Sequence, residues 1–260
     1  MTPVLAGRLP PRFWHTALAL LLTLGAALPA QATHKDEGVF HFNISPNGYP
    51  PYLIVDGETP SGIMWDVVNL VLPRMGYQVE PKRIPRKRVD NMLADGYIDA
   101  TPRAIEWTRS PDDFSFTDAI VQVEEVFFFP ENSDLEFNSL DDLVGTTIVT
   151  PLGYVYPALE PFFADGRIQR FEVAHERNMF RYLLHSDRFD AALADRLVGR
   201  WLLRHEGMTD QFRSSQKSIS RLGFRLMVRK DWTDFTRRFN RQLATIRNNG
   251  ELEDILAKYR

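Results

Sequence analysis

The chain contains no cysteine in 260 residues, which excludes disulfides, a thiolate nucleophile and thiolate metal sites. It has no basic excess either: 31 Lys and Arg stand against 34 Asp and Glu, a formal charge of −3. A nucleic-acid surface would ordinarily carry the opposite balance, so no nucleic-acid partner is expected. There is no low-complexity linker, no serine-nucleophile motif and no phosphate loop. His34, His41, His175, His185 and His205 show no metal-ligand spacing. No metal and no cofactor are therefore expected. Long apolar runs are also missing. The longest, "ALALLLTLGAALPA" at residues 17–30, falls short of the roughly 20 residues a membrane helix needs.

That apolar run follows Arg8 and Arg12 and precedes Ala30-Gln31-Ala32. A basic start, a short apolar core and small residues at the cleavage positions describe a secretory signal peptide over residues 1–32; a retained membrane anchor is the alternative. Cleavage after Ala32 leaves 228 residues with 29 basic and 34 acidic side chains, a charge of −5. With no cysteine to lipidate or cross-link, the mature protein is expected to be free, periplasmic and held together by a large apolar core. Its length suits one domain or two lobes.

The mature chain alternates strand and helix signals. "VFHFNI" (39–44) is a strand, "IMWDVVNLVLPRM" an amphipathic helix, "YQVEPKRI" a strand, "RKRVDNMLADG" a helix and "YIDA" a strand. The grammar repeats from about residue 139: a capped "SLDDLVG", the strand "TTIVTP", the helix "YPALEPFFADG", the strand "IQRFEVA", the helix "ERNMFRYLLHSD" and the strand "FDAALAD". "SRLGFRLMV" is a late strand, and the closing helix breaks at Gly250. Helices of crossover length between strands build parallel sheets covered on both faces. The apolar runs at 121–129 and 224–228 are the expected crossings between two α/β lobes. The expected lobes are 33–122 with 220–260, and 123–219. Ligands of such sheets sit beyond the carboxyl ends of the strands.

Six segments in order resemble the periplasmic solute-binding proteins of ABC importers, in the branch that takes polar amino acids (family 3). They are "YPPYLIVDGETPSGIMWDVV", "MLADGYIDA", "FTD" (116–118), "LDDLVGTTIV", "RFDAALAD" and "LATIRNNGELEDILAKY". The resemblance implies a two-lobe Venus-flytrap fold that closes on a small polar ligand. It implies a monomer that then docks on an ABC permease in the inner membrane, with no catalysis. A ligand removed from water in this way must find opposite charges on the protein.

The resemblance places Asp195 where the family holds the ligand's α-amino group, a charge-assisted role; the alternative is an N-cap for "RLVGRWLL". Tyr49 takes the position of the stacking aromatic, whereas Tyr52 and Asp66 read as core and structural residues. Other positions depart from the family. Arg86 stands where a second aromatic is usual. Gly153 is followed by Tyr154, Val155 and Tyr156 instead of small hydroxyls; its N–H groups suit an anion near a helix start, or it is a plain turn glycine. Arg109 lies ten residues after Asp99 and Arg103 only four, and neither fits the family's Thr-x-x-Arg spacing. Arg103, leaving a strand end, is the preferred anion ligand, with Arg109 second. Both border Glu106 and Trp107, which complete the candidate rim. The competing functions are a cyclohexadienyl-dehydratase-like enzyme on the same fold, with Glu106 beside Trp107 as its general acid, and a sensor subunit for a membrane receptor. Glu106 otherwise reads as an ion-pair partner for Arg103 or Arg109.

Overall fold

The computed structural model describes residues 38–259; the expected signal peptide lies outside them. Chain order gives β1 (Val39–Ile44), α1 (Ile63–Arg74), β2 (Gln78–Arg83), α2 (Arg86–Ala94), β3 (Ala100–Arg103), β4 (Phe114–Phe116) and β5 (Val121–Pro130). Then come β6 (Thr147–Pro151), α3 (Glu160–Ala164), β7 (Gln169–Val173), α4 (Arg177–His185), β8 (Ala191–Asp195) and α5 (Arg196–His205). The chain closes with β9 (Phe212–Ser214), β10 (Ser220–Arg229), α6 (Thr233–Asn248) and α7 (Glu251–Ala257). The strands lie in the order β2-β1-β3-β10-β5-β8-β6-β7, with β4 added on β10 and β9 on β5.

The order contains two parallel groups. In the first, β1 pairs in parallel with β2 and β3; in the second, β6 pairs in parallel with β7 and β8. The antiparallel pair β5–β10 joins them, in register from Ser220 opposite Glu125 to Phe224 opposite Val121. β10 then runs on to pair with β3 through Arg225–Val228. One ten-residue strand thus belongs to both groups.

Side-chain periodicity explains why these segments hold. In β5, Phe127 and Phe129 point into one core with Ile148, Tyr156 and Leu193. Val126 and Phe128, one residue out of phase, enter the other core with Phe180 and Phe212. The three consecutive phenylalanines therefore feed both faces of one strand. Phe235, Phe239, Leu243 and Ile246 form the buried stripe of α6, three or four residues apart as a helix packed on one side requires. Each such side chain withdraws apolar area worth about 1.5–3 kcal/mol.

Two expected elements differ. The strand read at "YIDA" begins only at Ala100; Asp99 joins it to β1, its amide donating to the His41 carbonyl at 2.8 Å and its carboxylate accepting the His41 amide at 2.7 Å. The helix expected from Tyr156 is reduced to Glu160–Ala164; Pro157 and Pro161 leave fewer amides to continue the ladder. Among the described residues no helix is long and apolar enough to cross a membrane.

The loop after β1 is locked by Gly62. Its φ is 110°, and a Cβ built there would lie 2.7 Å from the Tyr52 carbonyl oxygen and 2.8 Å from that of Pro51. Both obstacles are backbone, held by amides of α1: Ile63 donates to Pro51 and Met64 to Tyr52, at 3.0 and 2.9 Å. Gly62→Ala is accordingly expected to destabilise the fold by about 2 kcal/mol or more, read as a lower urea midpoint with an unchanged slope.

Candidate ligand cleft

Every parallel strand in both groups ends beside a polar or aromatic side chain. Beyond β1 come Tyr49 and Tyr52, beyond β2 Arg86, and at the end of β3 Arg103. Beyond β6 come Tyr154 and Tyr156, beyond β7 Glu176, and at the end of β8 Asp195. Two observations bring the two sets face to face. The Tyr52 hydroxyl donates to Asp195 Oδ1 at 2.9 Å across 143 residues of chain. The Arg86 guanidinium carbon lies 5.9 Å from the centre of the Tyr154 ring.

An aromatic wall lines the first side. Tyr49 stacks on Tyr52 with ring centres 5.3 Å apart, and Trp107 meets Tyr49 edge-on at 6.4 Å. Phe224, from β10, closes against Tyr49, Tyr52 and Trp107. Burial pushes the Tyr49 phenol well above its usual range, and the nearby charge of Asp195 raises it further, as do Tyr154, Glu176 and Tyr52.

Carboxylates line the second side. Glu125 is buried on β5 and takes the Ser220 hydroxyl at 2.6 Å. Glu176 receives the Tyr154 hydroxyl. Burial raises both acids, and the charge of Asp195 adds to it; Glu176 is held up at about 7. Asp195 is itself raised by burial, against the pull of its hydrogen bonds from Val198, Glu124, Tyr52 and Leu197. Among the described residues no lysine, arginine or histidine pairs with any of these three acids. Neighbouring Glu124 differs, being neutralised by Arg196 and Arg221. The loop between β6 and α3 is pinned by Arg170, which donates to Thr150 Oγ1 at 3.0 Å and to the Tyr154 carbonyl. Among the described residues no group of His, Asp and Glu is arranged to hold a metal ion.

The sequence-derived candidates divide. Tyr49, Arg86, Trp107, Tyr154 and Asp195 come together around this cleft. Asp195 caps α5, accepting the Leu197 and Val198 amides at 3.0 Å each. Arg103 reaches the cleft end of β3, but its guanidinium is buried and donates to Asp90 at 2.9 Å; burial lowers its pKa. Arg109 and Glu106 are exposed, so Glu106 has none of the burial that the general-acid role demands. Gly153 has the left-handed φ of 76° of a turn glycine. Its amide is occupied by Glu172 Oε1 at 3.0 Å, and the next helix starts seven residues later. Glu176 and the Tyr52 hydroxyl were missed. The signal for Glu176 was its place just past the end of a parallel strand, the same topological position as Asp195.

Residues 44–260 match the sequence profile of the bacterial extracellular solute-binding proteins, family 3. The chain belongs to that family. The solute-binding family's fold is equally plain in solved structures. An ancestral arginine-binding protein bound to arginine superimposes with a TM-score of 0.69 at 19% identity, over 85% of this chain and 98% of that one. A histidine kinase sensor domain with similarity to periplasmic binding proteins gives 0.69 at 21% identity, covering 86% of this chain and 97% of its own. Among curated relatives, the arginine-binding extracellular protein ArtP of Bacillus subtilis (strain 168) is 23% identical over 221 residues, 81% of this chain and 82% of that protein. The architecture is thus a mixed α/β fold of the periplasmic-binding-protein type, shared with two-lobe amino-acid-binding proteins.

The raised Glu176 gives this solute-binding protein a pH signature. Its folded value of about 7 exceeds the ordinary 4.5, so the folded state binds the proton more tightly than the unfolded chain. The associated stability is fully present below about 4.5 and is lost as pH rises through about 7. Glu176→Gln should flatten this segment of the stability–pH curve, removing a slope on the order of 3 kcal/mol in total at most. Urea denaturation at half-unit pH steps from 4.5 to 7.5 reads it directly.

Proposed function

We propose that the protein captures a small ligand bearing a cationic group, an amino acid or a related amine, in the cleft between its two strand groups. The observation that carries this reading is the group of three acids, buried Glu125 and Asp195 and half-buried Glu176, which no cation among the described residues neutralises. Buried like charges raise one another's energy, and a bound cation relieves all three at once. Glu176, with Tyr154, is the receiving acid; Tyr49 and Trp107 stack on the ligand's stem. Arg86, exposed and unlike Arg103 not committed to an aspartate, meets an anionic end. The arginine-binding relatives agree in sign with this assignment.

On this reading the strand groups act as lobes, 33–122 with 220–260 and 123–219, that close about the β5–β10 crossing. The closed form is delivered to an ABC permease from the periplasm. The likeness to a kinase sensor domain supports a second reading, in which the same closure reports the ligand to a membrane receptor.

A thermal-shift screen of basic amino acids, polyamines and small organic acids tests the ligand class. At a hundred times its dissociation constant a ligand adds about 2.7 kcal/mol of stability. Basic amino acids or amines are expected to raise the melting midpoint, and organic acids without a cation are not. Glu176→Gln should weaken the cationic hits by roughly tenfold or more. Stabilisation by the organic acids alone would overturn the assignment. Because Glu176 is held up at about 7, release of phenylpyruvate from prephenate or arogenate is assayed in parallel; turnover would favour the dehydratase.

A further inference from the structure

The bases and the acids around the cleft are committed to different degrees. Arg103 is buried at the end of β3 and donates to Asp90. Arg170, which pins the loop after β6, lies 3.0 Å from Glu172 and 3.5 Å from Glu160. Arg196, directly after Asp195, faces Glu124 at 3.1 Å and donates to the Ser215 and Gln216 carbonyls. Each of these guanidinium groups already has its carboxylate. The Gly153 amide has one too, in Glu172. Arg86, over the Tyr154 ring, and Arg177, next to Glu176 in the chain, are both exposed to water.

The acids show the reverse. Among the described residues no cation pairs with Glu125, Glu176 or Asp195. A carboxylate offers about four lone-pair sites, shared between its two oxygens. At Asp195 three donors crowd Oδ1, namely the Leu197 and Val198 amides and the Tyr52 hydroxyl. Oδ2 takes only the Glu124 amide, at 2.8 Å, and keeps an acceptor site open. Glu176 takes the Tyr154 hydroxyl. A cationic group entering the cleft therefore has two carboxylates to meet, Glu176 and Asp195. A ligand carboxylate finds the opposite. On leaving water it needs a fixed positive charge, and the attraction of an exposed guanidinium such as Arg86 is largely screened. Tyr49, Tyr154 and Tyr156 bring hydroxyls without charge, and the three acids repel it.

We propose that the cleft recognises its ligand by cationic groups alone and leaves a carboxylate dispensable, so that its ligand class is organic diamines and guanidino-amines, with basic amino acids bound no more tightly. This deepens the solute-binding reading above and rests on it. Arg86 admits an anionic end at the exposed side of the cleft without rewarding it. A compound with a cation at each end meets Glu176 and Asp195 together, which a single amine cannot do.

The test is calorimetric titration of the wild-type protein with paired compounds. L-Arginine is compared with agmatine and L-lysine with cadaverine; within each pair only the carboxylate differs. Each amine should bind at least as tightly as its amino acid. Weakening of both amines beyond about threefold, the scale of a screened surface ion pair, overturns the proposal. Pentylamine, which lacks the second ammonium of cadaverine, should bind about tenfold or more weakly than cadaverine, because one charge-assisted bond is lost. Equal affinity of those two compounds overturns the assignment of two receiving carboxylates. Binding of the amino acids without the amines sinks this proposal and leaves the solute-binding reading standing. Binding of none of the five sinks both.

Discussion

The pairing of β5 with β10 is the constraint on which the rest of the molecule depends. Val121–Glu125 lies antiparallel to Ser220–Phe224, and each strand continues beyond that overlap into a different parallel group. Because the groups share this seam, the carboxyl ends of six parallel strands converge on one cleft. The seam also places chemistry. Glu124 and Glu125 sit on β5, Phe224 on β10, and Asp195 is opposite Glu125 across the β5–β8 pair. Removing the pairing would separate the aromatic wall from the acids.

Electrostatics then decides what such a cleft can hold. Adjacent acids on the seam are treated differently: Glu124 is neutralised by two arginines, whereas Glu125 is buried with only a serine hydroxyl. Half-buried Glu176 has a tyrosine hydroxyl and Asp195 has hydroxyl and amide donors, and among the described residues neither has a cation. Keeping charges buried in this way is costly unless a partner arrives. The arginines on the other side are committed to different degrees, Arg103 to Asp90 and Arg86 only to the face of an aromatic ring. A ligand with a cation for one side and room near Arg86 for an anion fits this asymmetry.

Much of the frame was legible in the sequence because it is encoded locally. Strand β1 begins and ends where "VFHFNI" does, Gly250 separates the last two helices, and the Asp195 cap follows from an acid placed directly before an amphipathic run. The site was legible where it follows from topology and illegible where it follows from packing. Tyr52 reads correctly as a core residue, yet its hydroxyl finds a partner 143 residues away, a fact that no local pattern contains. Arg103 looks like a free cation at a strand end until α2 brings Asp90 beside it. Glu176 looks like an ordinary helix-start acid, since only the folded cleft removes its water. Gly153 and its tyrosines were visible as a departure from the family, but not the use of the Gly153 amide by Glu172.

The central claim is that a ligand cation meets Glu176, a carboxyl that its surroundings hold up at about 7. The most direct test is the number of protons exchanged on binding. The strongest basic ligand is titrated calorimetrically at pH 6.5 in buffers of different ionisation enthalpy. A cation that draws Glu176 into its charged form must expel the proton, so the account predicts net release of about half a proton or more per ligand bound, disappearing in Glu176→Gln. Binding with no proton exchange, or with proton uptake, would contradict it.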